Sequence, residues 1–423
     1  MQNNRRSVIQ AKWILKWIIF VSIILLAMAL RGALFSIRVR DYNIYMSPWY
    51  DFIYSHGGFT ALKYNFSNYP ISYLYLLAIA TYIPLSKIVI IKSISVFFDL
   101  LLALFTYLIV RLKYEKSYVP IIAALLALFT PTVFLNSSLW GQSASIYASC
   151  SLGGLYFLLR KQPLWAFLLF GLAFSFKLQA VFLFPLLLVL LITRKIHIQY
   201  FLIIPTVYLI TLLPAWLIGA NFMNLLTMYS AEVNHPPQSH FLTLGAPNIF
   251  QWIPVSAAQF DMWKNLGILL ALSAVAILSF VVRASRRKIT NDIMLRLALV
   301  FVLVMPFLLP EMHERYFYLA DIISLIYVFY FPDYFYIAIL IELSSLLSTR
   351  GHRFVSMRYK VGGQTRATKP APNLRPRVLS YIPYLMGVRM NQQFLAVLIF
   401  GVIIITSWDL GKLLFSTSQS DSA

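Results

Sequence analysis

Long apolar runs with almost no charge recur along this chain, at 88–110 and 262–282 among others. A run of about 18 or more such residues spans about 30 Å of hydrocarbon as a helix. Only 12% of the 423 residues are charged and 60% are hydrophobic, against roughly 25% charged in a soluble protein. The expected fold is all-α: a polytopic transmembrane helical bundle of roughly 10–13 membrane segments, read as a single membrane domain over 1–423.

The formal net charge of +21 raises the question of nucleic acid. Its distribution answers otherwise, because no basic face or base-stacking motif accompanies it. Basic residues instead gather at loop ends: Arg5-Arg6, Arg111 with Lys113 and Lys116, Arg160-Lys161, Arg194-Lys195, and Arg283 with Arg286 to Lys288. Positive loops mark the cytoplasmic side. The opposite ends, at 32–87, 133–142, about Lys177, 219–261 and 310–316, are then extracytoplasmic. Asp41, Asp51, Glu232, Asp261, Glu311, Glu314, Asp321, His235 and His240 all fall on or near that side. Polar chemistry concentrated on one face of the membrane is what a catalytic bundle needs and a structural one does not.

Some features carry less. Cys150 is the single cysteine, so no internal disulfide is possible. The N-terminal stretch is basic and then apolar without a clear small-residue cleavage site, and reads as a retained first helix. Segment 32–87 is expected to be a long first extracytoplasmic loop with interfacial helices. Residues 349–378 are basic, non-periodic and interrupt an apolar run, which suggests a disordered insertion.

Several residues have the chemistry of a transferase. Asp41 stands at the edge of the first apolar run among Tyr42, Tyr45, Trp49 and Tyr50, with Arg31, Arg38 and Arg40 just before it. A carboxylate there can take a proton from an incoming hydroxyl; it can also be merely solvated among membrane-anchoring aromatics. In PEMHERYFYLAD (310–321), Arg315 can grip a phosphate through two parallel N–H bonds, with His313 as a further donor; an Arg–Glu pair with Glu314 that only locks a loop is the alternative. Lys177 lies between two short helices, where it either snorkels or meets an anionic ligand. Trp140, with Gly141 and Gln142 in LWGQ, sits at another outer loop, where it is either a membrane-belt residue or a ring that stacks on a sugar. Asp99, inside 88–110, is expected to pair internally with an arginine or a backbone N–H. No HExxH, CxxC or carboxylate cluster of ligand spacing is present, so no cofactor is expected, with a divalent metal left open.

Four stretches carry a resemblance: 41–78, 139–188, 242–254 and 308–321. With them the chain resembles polyprenyl-phosphate-dependent glycosyltransferases of the GT-C class, in particular bacterial mannosyltransferase-like members distantly similar to the GPI mannosyltransferase catalytic subunit. The resemblance implies a GT-C bundle in the bacterial inner membrane with an extracytoplasmic site. It also implies an inverting transfer of a mannose-like hexose from a polyprenyl-phosphate donor to a glycan or lipid acceptor. Asp41 matches the essential acid of the first outer loop, implied as the base. His313, Glu314 and Arg315 match the family's HER-type stretch and Lys177 its K-L/P-Q stretch; Arg315, His313 and Lys177 are taken as candidates for the donor phosphate, and Tyr42, Trp49, Trp140, Gln142 and Glu314 as candidates for substrate. The chain departs from the pattern at Ala144, where many relatives carry Asp, at Gly245 in place of Asn, and in the 349–378 insertion. A lipid-linked sugar flippase or an inactive relative remains an alternative at this point. Membrane lipids are expected partners and nucleic acid is not.

Overall fold

The apolar runs are helical in the computed structural model, which describes residues 2–233, 241–353, 359–361, 364–366 and 391–415. The first part holds α1 (Gln2–Leu34), α2 (Ser47–Ser55), α3 (Ile71–Ala80), α4 (Lys87–Arg111), α5 (Val119–Phe129) and α6 (Pro131–Ser138). Next come α7 (Ala144–Leu159), α8 (Pro163–Phe176), α9 (Phe184–Ile192), α10 (Ile203–Leu217), α11 (Phe222–Leu226) and α12 (Met228–Val233). The remainder supplies α13 (Phe260–Ala284), α14 (Asn291–Leu308), α15 (Tyr318–Tyr330), α16 (Phe335–Arg353) and α17 (Gln392–Phe415). Two short strands, β1 (Thr243–Leu244) and β2 (Met312–His313), pair in parallel.

Among the described residues, five helical segments are long and apolar enough to cross a membrane: α4, Ile198–Leu217, Ala257–Ala284, α14 and α17. The pair α5 and α6 is bent by 50°, because Pro131 opens α6 and cannot continue the hydrogen-bond ladder of α5. The break is closed electrostatically: the backbone N–H and hydroxyl of Thr132 donate to the two Glu342 oxygens at 2.6 and 2.8 Å. A carboxylate is well placed at a helix N-terminus. Several shorter apolar helices complete the bundle.

α7 lies at the centre and is buried along almost its whole length. Its sequence, ASIYASCSLGGLYFLL, is small or apolar on every side, which lets neighbouring backbones approach closely. A Cβ at Gly153 would stand 2.7 Å from Leu169 and Phe105, and one at Gly154 2.8 Å from Phe170. Glycine there is a packing requirement between α7, α4 and α8.

Two buried ion pairs tie helices together. Arg31 donates to Asp99 Oδ2 at 3.1 and 3.2 Å, and the Ser137 hydroxyl to the same oxygen at 2.6 Å. Asp99 thus has the interior pairing role its sequence position suggests. Arg31 is 1% exposed and committed there, so its charge is not directed at Asp41. Far along the chain, Asp409 accepts from Arg296 Nε at 2.6 Å, Tyr327 at 2.5 Å and Tyr334 at 2.9 Å.

Helix directions sort the chain ends. α4 starts at Lys87, which meets Asp51 at 2.7 Å, and ends at the basic cluster of Arg111. There Lys113 donates to the Tyr330 carbonyl, and Arg287 donates to Leu414 O at 3.3 Å. The basic clusters at Arg111–Lys113 and at Arg287 therefore share one end of the bundle. The segments around Asp41, Gln142 and Arg315 share the other.

Segment 32–87 is largely helical, and its apolar helix α3, of ten residues, is about 15 Å long, shorter than the hydrocarbon thickness, and packs against α2 and α8. In the expected insertion, α16 runs on to Arg353, and Tyr359–Val361 (β3) pairs antiparallel with Gln364–Arg366 (β4). The expected disorder of the rest, including 367–378, and the sequence reading of His235 and His240 lie outside the described residues.

Candidate active site

Three segments distant in sequence converge on one oxygen. Gln142 Nε2 donates to Asp41 Oδ2 at 2.8 Å, and Arg315 donates a guanidinium N–H to the same oxygen at 3.3 Å. Asp41 and Arg315 are each about a quarter exposed, at 24% and 23%. Gln142 is buried.

Local structure explains how each arrives. Asp41 ends the short link after α1 and precedes a π-helical turn, Tyr42–Met46; such turns are enriched at functional sites. Gln142 lies on the strap between α6 and α7. That strap reverses through Gly141 at φ +64°, a conformation that suits glycine, and is pinned by Trp140 N–H to Leu135 O and Gln142 N–H to Asn136 O. Arg315 follows the β1–β2 pairing, which holds residues 312–313 against the 241–253 loop. Glu311 enters that pairing at φ +59°, with its N–H on Leu242 O at 2.7 Å and its carboxylate on Lys264 at 2.6 Å. Gly245, bridged to His313, sits at φ +91°. A left-handed φ of that size suits glycine, which carries no Cβ.

Charge at the site is balanced but not spent. His313 Nδ1 is 3.7 Å from the buried Glu314 carboxylate. Desolvation works against the Arg315 charge, but Glu314, Tyr316 and Asp41 outweigh it and hold the guanidinium above its ordinary pKa. Arg315 Nε is buried with no hydrogen-bond partner among the described residues. The guanidinium keeps one N–H on the Asp41 carboxylate and about a quarter of its side-chain surface exposed, and that exposed edge is suited to an anion with several acceptor oxygens.

A cavity of about 680 Å³ opens beside His313. Tyr45, Tyr64, Asn68, Tyr69 and Asn224 are among its lining residues. Tyr69 stacks near Trp49, with ring centroids 5.3 Å apart, and its hydroxyl lies 2.5 Å from Ser143 Oγ, one residue past Gln142. The cavity thus borders the segments that carry Gln142 and Arg315 through Tyr69 and His313.

The sequence-derived candidates divide on this geometry. Asp41, Gln142 and Arg315 meet directly, with His313 and Glu314 beside them. Lys177 stands with its ammonium 5.7 Å from the ring centroid of Tyr147, which lies in the first turn of α7, just after the strap that carries Gln142. The expected stacking rings require correction. Tyr42, Trp49 and Trp140 are 2%, 8% and 3% exposed: Tyr42 and Met46 are the buried residues of the π turn, Trp49 is buried on α2, and Trp140 is enclosed in the strap after α6. The open aromatic faces belong to Tyr45 and Tyr64, at 44% and 49%. Asp51 belongs to a surface ion pair with Lys87. Lys92 was not singled out in the sequence, although a lysine inside an apolar run is itself a signal. Among the described residues, no three His, Cys, Asp or Glu side chains are grouped to hold a metal ion.

Among known protein families, glycosyltransferase family 87 matches residues 66–310. The matched stretch contains Trp140, Gln142 and Lys177; Asp41, His313 and Arg315 flank it. No curated protein matches the chain.

Proposed function

The chain belongs to glycosyltransferase family 87, and from that premise we propose that it transfers a mannose-like hexose from a polyprenyl-phosphate donor to an acceptor hydroxyl at the extracytoplasmic face of a bacterial inner membrane. The donor phosphate binds the exposed edge of the Arg315 guanidinium, with His313 and Lys177 adding positive charge. Asp41, released from Arg315 and still held by Gln142, accepts the proton of the acceptor hydroxyl. That oxygen bonds to C1 as the C1–O bond to phosphate breaks. The electron pair leaves with the polyprenyl phosphate, which Arg315 stabilises, and the anomeric configuration inverts. The acceptor is a glycan or glycolipid whose sugar lies in the cavity between Tyr45, Tyr64 and Tyr69.

The observation that carries this reading is the shared Asp41 oxygen, bonded at once by Gln142 at 2.8 Å and Arg315 at 3.3 Å. It joins a proton acceptor to a phosphate-binding group with one contact, and phosphate competes for that contact. The extracytoplasmic placement is supported by the basic clusters at the opposite end of the bundle.

The test uses purified protein in detergent with polyprenyl-phosphate mannose, labelled in the sugar, and a mannoside acceptor. Transfer with inversion at C1, seen by NMR of the product, supports the proposal. Movement of the donor across liposomes without transfer indicates a flippase, and neither indicates an inactive relative.

A further inference from the structure

Lys92 is fully buried as the sixth residue of α4. A buried ammonium in a membrane helix is costly and is usually retained for a reason. Its Nζ donates to Leu34 O at 3.0 Å and Ile37 O at 2.8 Å. Leu34 ends α1, and its orphan carbonyl end favours a cation. Ile37 lies in the link four residues before Asp41.

The stem of the same side chain touches the second half of the site. A Cβ at Gly141 would stand 3.4 Å from Lys92 Cγ and 3.7 Å from Met46 Sδ. Gly141 immediately precedes Gln142, and Met46 closes the π turn that follows Asp41. One side chain thus grips the segment that delivers Asp41 with its head and supports the strap that delivers Gln142 with its methylenes. The two segments come from different helices, and their 2.8 Å contact depends on their relative height.

We propose that Lys92 is a positioning residue that sets the Asp41–Gln142 contact, and through it the aim of the base. The inference rests on the reading of Asp41 as general base for sugar transfer. Displacing a catalytic group by about 1 Å costs about 100-fold in rate.

Two arms test it. In the transfer assay, Lys92→Met keeps the stem and removes the ammonium. It is expected to lower kcat about 100-fold, with donor KM little changed and the thermal midpoint close to that of the unaltered protein. Combined with Asp41→Asn it adds no further loss, since an aimed base is already absent. Lys92→Gln, which keeps one donor, falls between and serves if the methionine variant fails to fold. The second arm needs no transfer: Asp41→Cys with Gln142→Cys, in a Cys150→Ser background, is coupled by a short bis-thiol reagent. Lys92→Met or Lys92→Gln is expected to slow coupling several-fold. Unchanged coupling overturns the inference, as does a kcat loss that multiplies with Asp41→Asn. If the unaltered protein transfers no sugar, the functional reading fails and the coupling rate alone decides the positioning role.

Discussion

Replacing Asp41 by Asn separates catalysis from folding. Asn keeps the shape, and its carbonyl still accepts from Gln142 and Arg315, but it cannot take up a proton. Loss of a general base lowers rates by roughly 10²–10⁴-fold, equivalent to about 3–5 kcal/mol of activation free energy. The structural cost is far smaller. With both partners about a quarter exposed, the Asp41–Arg315 pair contributes about 1 kcal/mol at most. The rate term therefore exceeds the stability term several-fold. The second consequence concerns binding: a neutral amide oxygen holds Arg315 less strongly than the carboxylate, so donor KM stays level or falls. The assay is sugar transfer at varied donor, with the folded fraction measured by size-exclusion chromatography on the same preparation. A folded Asp41→Asn protein with near-normal kcat, or one whose loss lies wholly in donor KM, refutes the reasoning.

Arg315→Gln removes the charge proposed to hold the donor phosphate; hydrogen bonds to charged groups contribute about 1.5–3 kcal/mol, so transfer at low donor is expected to fall roughly 10–150-fold. Removing one partner of the buried Arg31–Asp99 pair, as in Asp99→Ala, leaves a charge uncompensated and costs about 3–5 kcal/mol; thermal melting in detergent reads it, and Arg31→Met with Asp99→Leu should recover much of the loss. Gly154→Val places atoms where Phe170 already lies 2.8 Å from a first Cβ, so overpacking is expected to cost about 1–3 kcal/mol, visible as a lower melting temperature.

The bundle was legible because membrane helices announce themselves by length and apolarity, and loop charge orients them. That sorting grouped Asp41, Trp140-Gly141-Gln142 and His313 to Arg315 on one side before any coordinates. Contact is a finer matter. Asp41 and Asp51 share one short segment, yet Asp41 meets Gln142 and Arg315 while Asp51 meets Lys87; nothing in their spacing separates them. The burial of the aromatics is set at the same level of detail. The π turn shifts the register of 42–46, so Tyr42 turns inward and Tyr45 outward. α7 is apolar or small on every face, and no stripe in such a helix tells which neighbour it packs against. Lys92 was overlooked because its partners are backbone carbonyls, which carry no side-chain signature.

The most direct measurement is a structure of the protein bound to a phosphonate analogue of polyprenyl-phosphate mannose, which cannot release its sugar. The account expects the phosphonate on Arg315, Asp41 freed from that guanidinium and still bonded to Gln142, and the sugar C1 presented between them. A phosphonate seated instead at the basic end of the bundle, near Lys113 and Arg287, with the Asp41–Arg315 contact intact, would contradict it.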